Sequence, residues 1–323
     1  MTFLSVAVCT HNPRPNYLDR ALGSLRTQTL SQGQWELLMI DNASTDRLAD
    51  RWDLGWHANA RHIREDQPGL TPARLRAIAE SKGELLVFVD DDNVLFPDFL
   101  ENAKYLATIY PYLGVFGAGV LEPEFEVSPP AELNPYLSLL ALRRVPTARW
   151  TNNTEDFDCT PWGAGLCVTR PVAGHYHKLV ARLNANSVLG RRRQQLFCGE
   201  DDVFSWAAAA SGLGFGIFPE LRITHLISAE RLSQAYFIRL LRAHAFSHGV
   251  LDFLRDGARR PGFDPLQYPR LLLHGMKNGL FAMRCRRAAM RGRDDANQFI
   301  AERKLQPLDL FTVPMRNWNS HCG

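Results

Sequence analysis

Leu85-Leu86-Val87-Phe88-Val89-Asp90-Asp91-Asp92-Asn93-Val94 decides how the rest of the chain is read. Five apolar residues run without a break into three aspartates, and Lys82-Gly83 stands before them. A continuous apolar run bounded by a turn signal predicts a strand buried on both faces, of the kind found in the middle of a parallel sheet. Open α/β sheets collect ligands at the carboxyl ends of such strands, so the run delivers three carboxylates to a ligand-binding edge. Adjacent negative charges repel unless a cation neutralises them. A divalent metal carrying a diphosphate is one expectation. The other is a solvated acidic turn leading into a helix that begins near Pro97.

Before this stretch, Leu4–Thr10 reads as an apolar strand that stops at His11-Asn12-Pro13, because proline can neither donate to a ladder nor follow a helical residue easily. Asn16 is placed to cap a first helix. Trp35–Ile40 is a second strand closing on Asp41-Asn42, and about His62–Glu65 a third. Thr71 is placed to cap a helix with Pro72 at its first position, ending at Ser81 before Gly83. Strand and helix alternate over the first 110 residues, which predicts a doubly wound, mostly parallel sheet. Three polar strand ends, Thr10-His11-Asn12, Asp41-Asn42 and Asp90–Asp92, then share one edge.

Beyond it, Val115–Val120 reads as a strand by the same apolar pattern. Residues 121–160 are long, irregular and rich in proline and acid, as substrate-facing flaps are, with a short helix near Pro135–Leu142. Trp162-Gly163-Ala164-Gly165 leads into the strand Leu166–Thr169, and Glu200-Asp201-Asp202 opens a helix. Gly214–Pro219 and Leu221–Thr224 read as two short strands, the second ending at His225. After Glu230 the spacing is helical only, with a last helical region over about Leu266–Met290.

Composition bounds the class. With 323 residues and 46% hydrophobic content, one main domain plus an appendage is expected. Residues 1–221 hold 20 Lys and Arg against 26 Asp and Glu, while residues 222–304 hold 16 against 7. An acidic front and a basic rear suit different partners. Cys9, Cys159, Cys167, Cys198, Cys285 and Cys322 show no paired spacing, as expected of reduced thiols in the cytoplasm. No apolar run approaches a membrane span.

The ordered set VAVCTHN, LLMIDNASTD, QPGLTPARLRAIAESKGELLVFVDDD, WGAGLCVTR, CGEDDVFSW and ITH, over residues 4–226, resembles the family 2 inverting glycosyltransferases of the GT-A fold. That resemblance implies a Rossmann-like catalytic domain over 1–226 and a helical C-terminal extension over 227–323. It implies a nucleotide-diphosphate sugar donor (UDP, GDP or dTDP), Mn²⁺ or Mg²⁺, and an acceptor that is carbohydrate, lipid-linked or protein, in polysaccharide, glycolipid or glycoprotein synthesis. By resemblance, Thr10, His11, Asn12, Asp41, Arg74, Asp90 and Asp91 contact the nucleotide. Asp92, Asp90 and His225 hold the metal. Trp162, Gly163 and Gly165 line the sugar subsites, and Asp201 is the base, with Glu200 and Asp202 beside it. Leu75 stands where the family often has Asn, and Asp202 competes with Asp201 for the role of base.

Bland alternatives accompany these roles. Asp41 can merely start a turn, Glu200–Asp202 can complement a helix dipole, and His225 and Trp162 can be core residues. A dinucleotide dehydrogenase is excluded, since Cys9-Thr10-His11-Asn12-Pro13 replaces the glycine-rich loop. A sugar nucleotidyltransferase of similar fold and a nucleotide-sugar-binding protein without transferase activity are the rival functions. Nucleic-acid binding is not expected, because no aromatic-basic readout element accompanies the basic rear. For that rear, Glu230–Lys304, three expectations stand: packing on the catalytic domain, a homodimer contact, or peripheral docking on the inner face of an anionic membrane.

Overall fold

The structure, a computed structural model, describes residues 3–184, 199–261 and 268–308. Arg191-Arg192-Arg193, Cys198 and Cys322 lie outside the described residues. In chain order the elements are β1 (Leu4–Thr10), α1 (Pro15–Arg26), β2 (Trp35–Asn42), β3 (Ala60–Glu65), α2 (Leu70–Glu80), β4 (Leu85–Val89), β5 (Asn93–Leu95) and α3 (Phe99–Ile109). They continue with β6 (Leu113–Phe125), β7 (Arg143–Arg144), β8 (Arg149–Thr151), β9 (Leu166–Thr169), α4 (Arg170–Asn184), α5 (Glu200–Ala210), β10 (Gly214–Ile227), α6 (Gln234–Asp256) and α7 (Tyr268–Glu302).

The strands form one mixed sheet in the order β3-β2-β1-β4-β9-β6-β10-β5, with β7 on β6 and β8 on β10. β1 runs parallel to both β2 and β4, with Thr10 level with Asp41 and Val8 level with Val89. This register brings the polar strand ends together. β9 is antiparallel to β4 and β6 and separates the two parallel parts.

Period-two alternation explains the layers. Ala7, Leu38, Ile40, Leu86 and Phe88 face the core built with α2, α4 and α5. Val6, Val8, Leu37, Met39, Leu85, Val87 and Val89 face the opposite core, with Leu18 and Leu22 of α1 and Phe99 and Leu100 of α3. All five residues of β4 are buried, as its sequence requires. Part of the rear packs into these layers. Val250, Leu251 and Leu254 of α6 and Ala296 and Ile300 of α7 belong to the first of these cores.

Several local expectations are corrected. α1 starts at Pro15 after Arg14, so Asn16 is not its cap. α2 starts at Leu70 after Gly69, and Thr71 is inside it. The two strands expected over 214–224 are one strand, β10, with a register shift between Phe218 and Arg222 where Pro219 interrupts the ladder. The last helical region reaches Glu302, with non-helical dihedrals at Gly279.

Candidate functional site

The strand ends are cross-tied. Thr10 Oγ1 donates to Asp91 Oδ2. Asn12, in a left-handed conformation (φ 48°), donates its backbone N–H to Ser44 Oγ (2.9 Å) and accepts from Thr45 N–H at Oδ1 (2.8 Å). His11 Nδ1 lies 2.7 Å from the Asn42 carbonyl oxygen. His11 and Asn12 remain exposed at the mouth.

Asp41 is 4% exposed and its carboxylate is taken up internally. Oδ1 accepts from Ser44 N–H (3.1 Å), and Oδ2 from Leu48 N–H (3.2 Å) and Arg64 Nη1 (2.8 Å). Burial works against its charge, but these bonds outweigh it and hold the carboxyl below the usual range. Its visible work is to shape the loop after β2. Asn42 fixes that loop to the next, accepting from Gly69 N–H (2.8 Å) and donating to the Gln67 carbonyl (2.7 Å).

The three aspartates divide their surroundings. Asp92 Oδ1 accepts from Asn93 Nδ2 (3.0 Å), while Oδ2 meets His225 Nε2 (3.2 Å) and Arg231 Nη1 (3.1 Å). Burial raises Asp92, yet His225 and Arg231 outweigh it, so Asp92 titrates below an ordinary carboxyl. Asp91 lacks such cations and is pushed up to about 7, by burial first and then by Asp92. Burial and Asp92 also raise Asp90, which lies within electrostatic reach of Arg74, Asp201 and His225 as well.

Arg231 had no signal in the sequence. It sits in the short 3₁₀ turn Ala229–Leu232, and only the path of β10 brings it back over the acidic strand. Its Nη1 is 3.1 Å from both Asp92 Oδ2 and His225 Nε2. A cationic nitrogen thus fills the notch that both lone-pair donors face. His225 Nδ1 and Arg231 Nε are buried without partners. Among the described residues, no three His, Cys, Asp or Glu converge into a complete metal cage. Asp92 and His225 are two donors that could hold a Mn²⁺-type ion only with the Arg231 guanidinium, which meets both of them, moved aside.

The second acidic cluster opens α5. Asp201 Oδ1 accepts from Arg74 Nη1 (2.9 Å) and Oδ2 from Gly163 N–H (2.8 Å). Its side chain is 26% exposed, so one edge of the carboxylate is open. Glu200 lies behind it, 3% exposed, accepting from Thr71 Oγ1 and from Arg74 Nη1 (3.4 Å). Asp202 points away, toward Asp252 and Arg255 of α6, and is pushed up to about 7 by burial and then by Asp201 and Asp252.

Two residues assigned from the sequence lie inside the protein. The first is Arg74. It is 2% exposed, lies over the Phe88 and Phe204 rings, and is the counter-ion of Glu200 and Asp201. Burial opposes its charge, and the two carboxylates overcome this and raise its pKa. Gly165 faces the core. A Cβ there would lie 2.5 Å from Ile223 Cδ1 and 2.8 Å from Phe99 Cζ, and its φ is +69°. Gly163 does face the site, since a Cβ there would lie 2.3 Å from Arg74 Nη2. Trp162 lies beneath the Arg143 guanidinium, whose Cζ is 3.6 Å from the centroid of the indole ring. Arg143 itself, pushed down to about 10 by burial, comes from the flap and was not foreseen.

Residues 5–157 match the family described as Glycosyl transferase family 2. The chain is 28% identical over 105 residues to Glycosyltransferase AglE of Haloferax volcanii, covering 32% of this chain and 34% of that protein. It is 24% identical over 140 residues to Poly(ribitol-phosphate) beta-N-acetylglucosaminyltransferase TarS of Staphylococcus aureus, covering 40% of this chain and 24% of that one. The match thus spans about a third or less of either curated relative. Among solved structures, mannosyltransferase PcManGT from Pyrobaculum calidifontis, in complex with GDP-Man and Mn²⁺, superposes with a TM-score of 0.52 at 19% identity. That superposition covers 93% of this chain and 75% of PcManGT, and the fold is shared. The match over residues 5–157, just under half of the chain, with the sheet order and the acidic strand end, identifies a glycosyl transferase family 2 domain of the GT-A fold in this chain.

Proposed function

We propose that the chain moves a sugar from a nucleoside-diphosphate sugar to an acceptor hydroxyl in a single displacement that inverts the anomeric carbon. The observation carrying this reading is the position of Asp90. It lies within electrostatic reach of Asp92 and His225 and also of Arg74 and Asp201, so the two acidic clusters are neighbours. The family membership supports the same reaction class.

The acceptor oxygen forms a bond to the anomeric carbon as the bond from that carbon to the diphosphate oxygen breaks, its electron pair leaving with the diphosphate. The acceptor proton passes to Asp201, whose carboxylate is aimed by Arg74 and the Gly163 N–H and open on its remaining edge. Glu200 keeps Arg74 in place and does not touch substrate. Asp92 and His225 are the residues that would hold Mn²⁺ or Mg²⁺, which when bound supplies Lewis-acid charge at the leaving diphosphate. Arg231 occupies that position and would have to turn aside, toward the diphosphate, for a metal to bind there. Thr10, His11 and Asn12 and the Asp41–Thr45 loop form the neighbouring mouth, suited to the nucleoside.

Asp201→Asn should lower transfer about a thousandfold and leave Mn²⁺-dependent affinity for UDP or GDP near that of the parent, measured by calorimetry. Full turnover in Asp201→Asn would remove this carboxylate from the role of base. Asp202→Asn, whose side chain faces α6, should retain turnover within about tenfold.

A further inference from the structure

α7 is two helices. Its first arm folds back on the second at Gly279 (φ 89°, ψ 164°). Residues eight apart in one continuous helix lie about 12 Å apart along the axis, yet a Cβ on Gly275 would lie 2.9 Å from Met283 Sδ. The second arm is anchored. Phe281 and Cys285 pack with Phe237 and Leu240 of α6, and with Leu133 and Leu140 of the 131–140 segment. The first arm buries Leu271 and presents the rest of its apolar surface outward. Leu272 is 45% exposed, Leu273 64%, Met276 84% and Leu280 67%. These are half of all the large apolar side chains exposed among the described residues, gathered within nine positions. Soluble monomers rarely leave such a cluster uncovered.

The charge around this patch identifies its occupant. Residues 268–293 contain seven Lys and Arg and no Asp or Glu. Lys277, Arg284, Arg286, Arg287 and Arg291 are exposed. None of them forms an ion pair with a carboxylate among the described residues. An apolar strip rimmed by unneutralised cations is complementary to an anionic bilayer surface, where acyl chains take the apolar residues and headgroups the cations. Among the described residues no helix is long and apolar enough to cross a membrane. Contact of this kind is therefore peripheral.

We infer that the Leu272–Leu280 arm and the arginines that follow it form a docking surface for an anionic lipid bilayer. The surface stands apart from the transfer chemistry, and its root reaches the site. Phe281 and Tyr136 rings meet at 5.5 Å, and Leu232, next to Arg231, lies in the same apolar cluster.

The test is co-sedimentation of the full chain with phosphatidylcholine vesicles, with and without about one-third phosphatidylglycerol. Binding is expected only to the anionic vesicles, and it should weaken severalfold at high salt. The pair Leu273→Asp and Met276→Asp, both at exposed positions, should weaken it about tenfold or more without moving the unfolding midpoint. Absence of binding to anionic vesicles overturns the inference. So does binding that survives the two substitutions. A solution dimer that they convert to monomer would also overturn it, by naming a second copy as the occupant. Because the assay needs no donor or turnover, its outcome is independent of whether the proposed reaction is correct.

Discussion

Replacing Arg74 by Met tests how the second acidic cluster is held. Arg74 is 2% exposed and binds Asp201 at 2.9 Å and Glu200 at 3.4 Å. Its removal takes one buried cation away from two carboxylates. The losses differ between them. Asp201 is 26% exposed at its side chain and can draw on water, whereas the Glu200 side chain is 4% exposed and keeps the Thr71 hydroxyl. The penalty therefore concentrates on Glu200, and breaking a buried pair from one side costs about 3–5 kcal/mol. It also becomes pH-dependent. With Arg74 removed, burial raises the pKa of Glu200 in the folded variant above its unfolded value of about 4.3. Stability is then lost as pH rises through the window between those values and regained below it. Urea unfolding should show Arg74→Met weakened by about 3–5 kcal/mol near pH 8, and by clearly less near pH 5. Adding Glu200→Gln, which keeps a partner for Thr71, should restore most of the loss. An equal loss at both pH values would refute the reasoning, as would a double variant no better than the single one. Either result would assign the effect of Arg74 to packing over Phe88 and Phe204.

Two further substitutions read single contacts. Gly163→Ala places a Cβ 2.3 Å from Arg74 Nη2 and 3.0 Å from Asp201 Oδ1. It should lower kcat about tenfold or more with less effect on donor KM, while Gly174→Ala, with nothing within 4 Å, should be neutral or stabilising by about 1 kcal/mol. Asp202 is pushed up to about 7 in the fold, against about 3.9 unfolded. It therefore weakens the native state progressively as pH rises through that window, by up to about 4 kcal/mol. Thermal unfolding of Asp202→Asn should match the parent near pH 4 and exceed it above pH 7.

Much of the site was legible because its signals are local. The LLVFV run before Asp90–Asp92 shows a central strand through apolar continuity alone, and β4 is Leu85–Val89. The ends of β1 and β2 were legible for the same reason, and parallel pairing sets Thr10 level with Asp41. Not legible was what a side chain meets across the fold. Arg74, read from the sequence as near the nucleotide, is turned inward between Glu200 and Asp201. Thr71 looked like a helix cap and is a buried donor to Glu200, 129 residues away.

The sequence by itself determined the sheet, the acidic strand end and the family, because each rests on residue type and short-range spacing. Tertiary structure alone decided which carboxylates share a cavity and which cations answer them. Arg231 reaches Asp92 across 139 residues, through the return of β10 along β6. Asp201 and Asp202 are adjacent and chemically identical, yet one opens to the cavity and the other turns toward α6. Neighbouring positions on a helix point about 100° apart, and only the packing of α5 determines which of them faces the cavity.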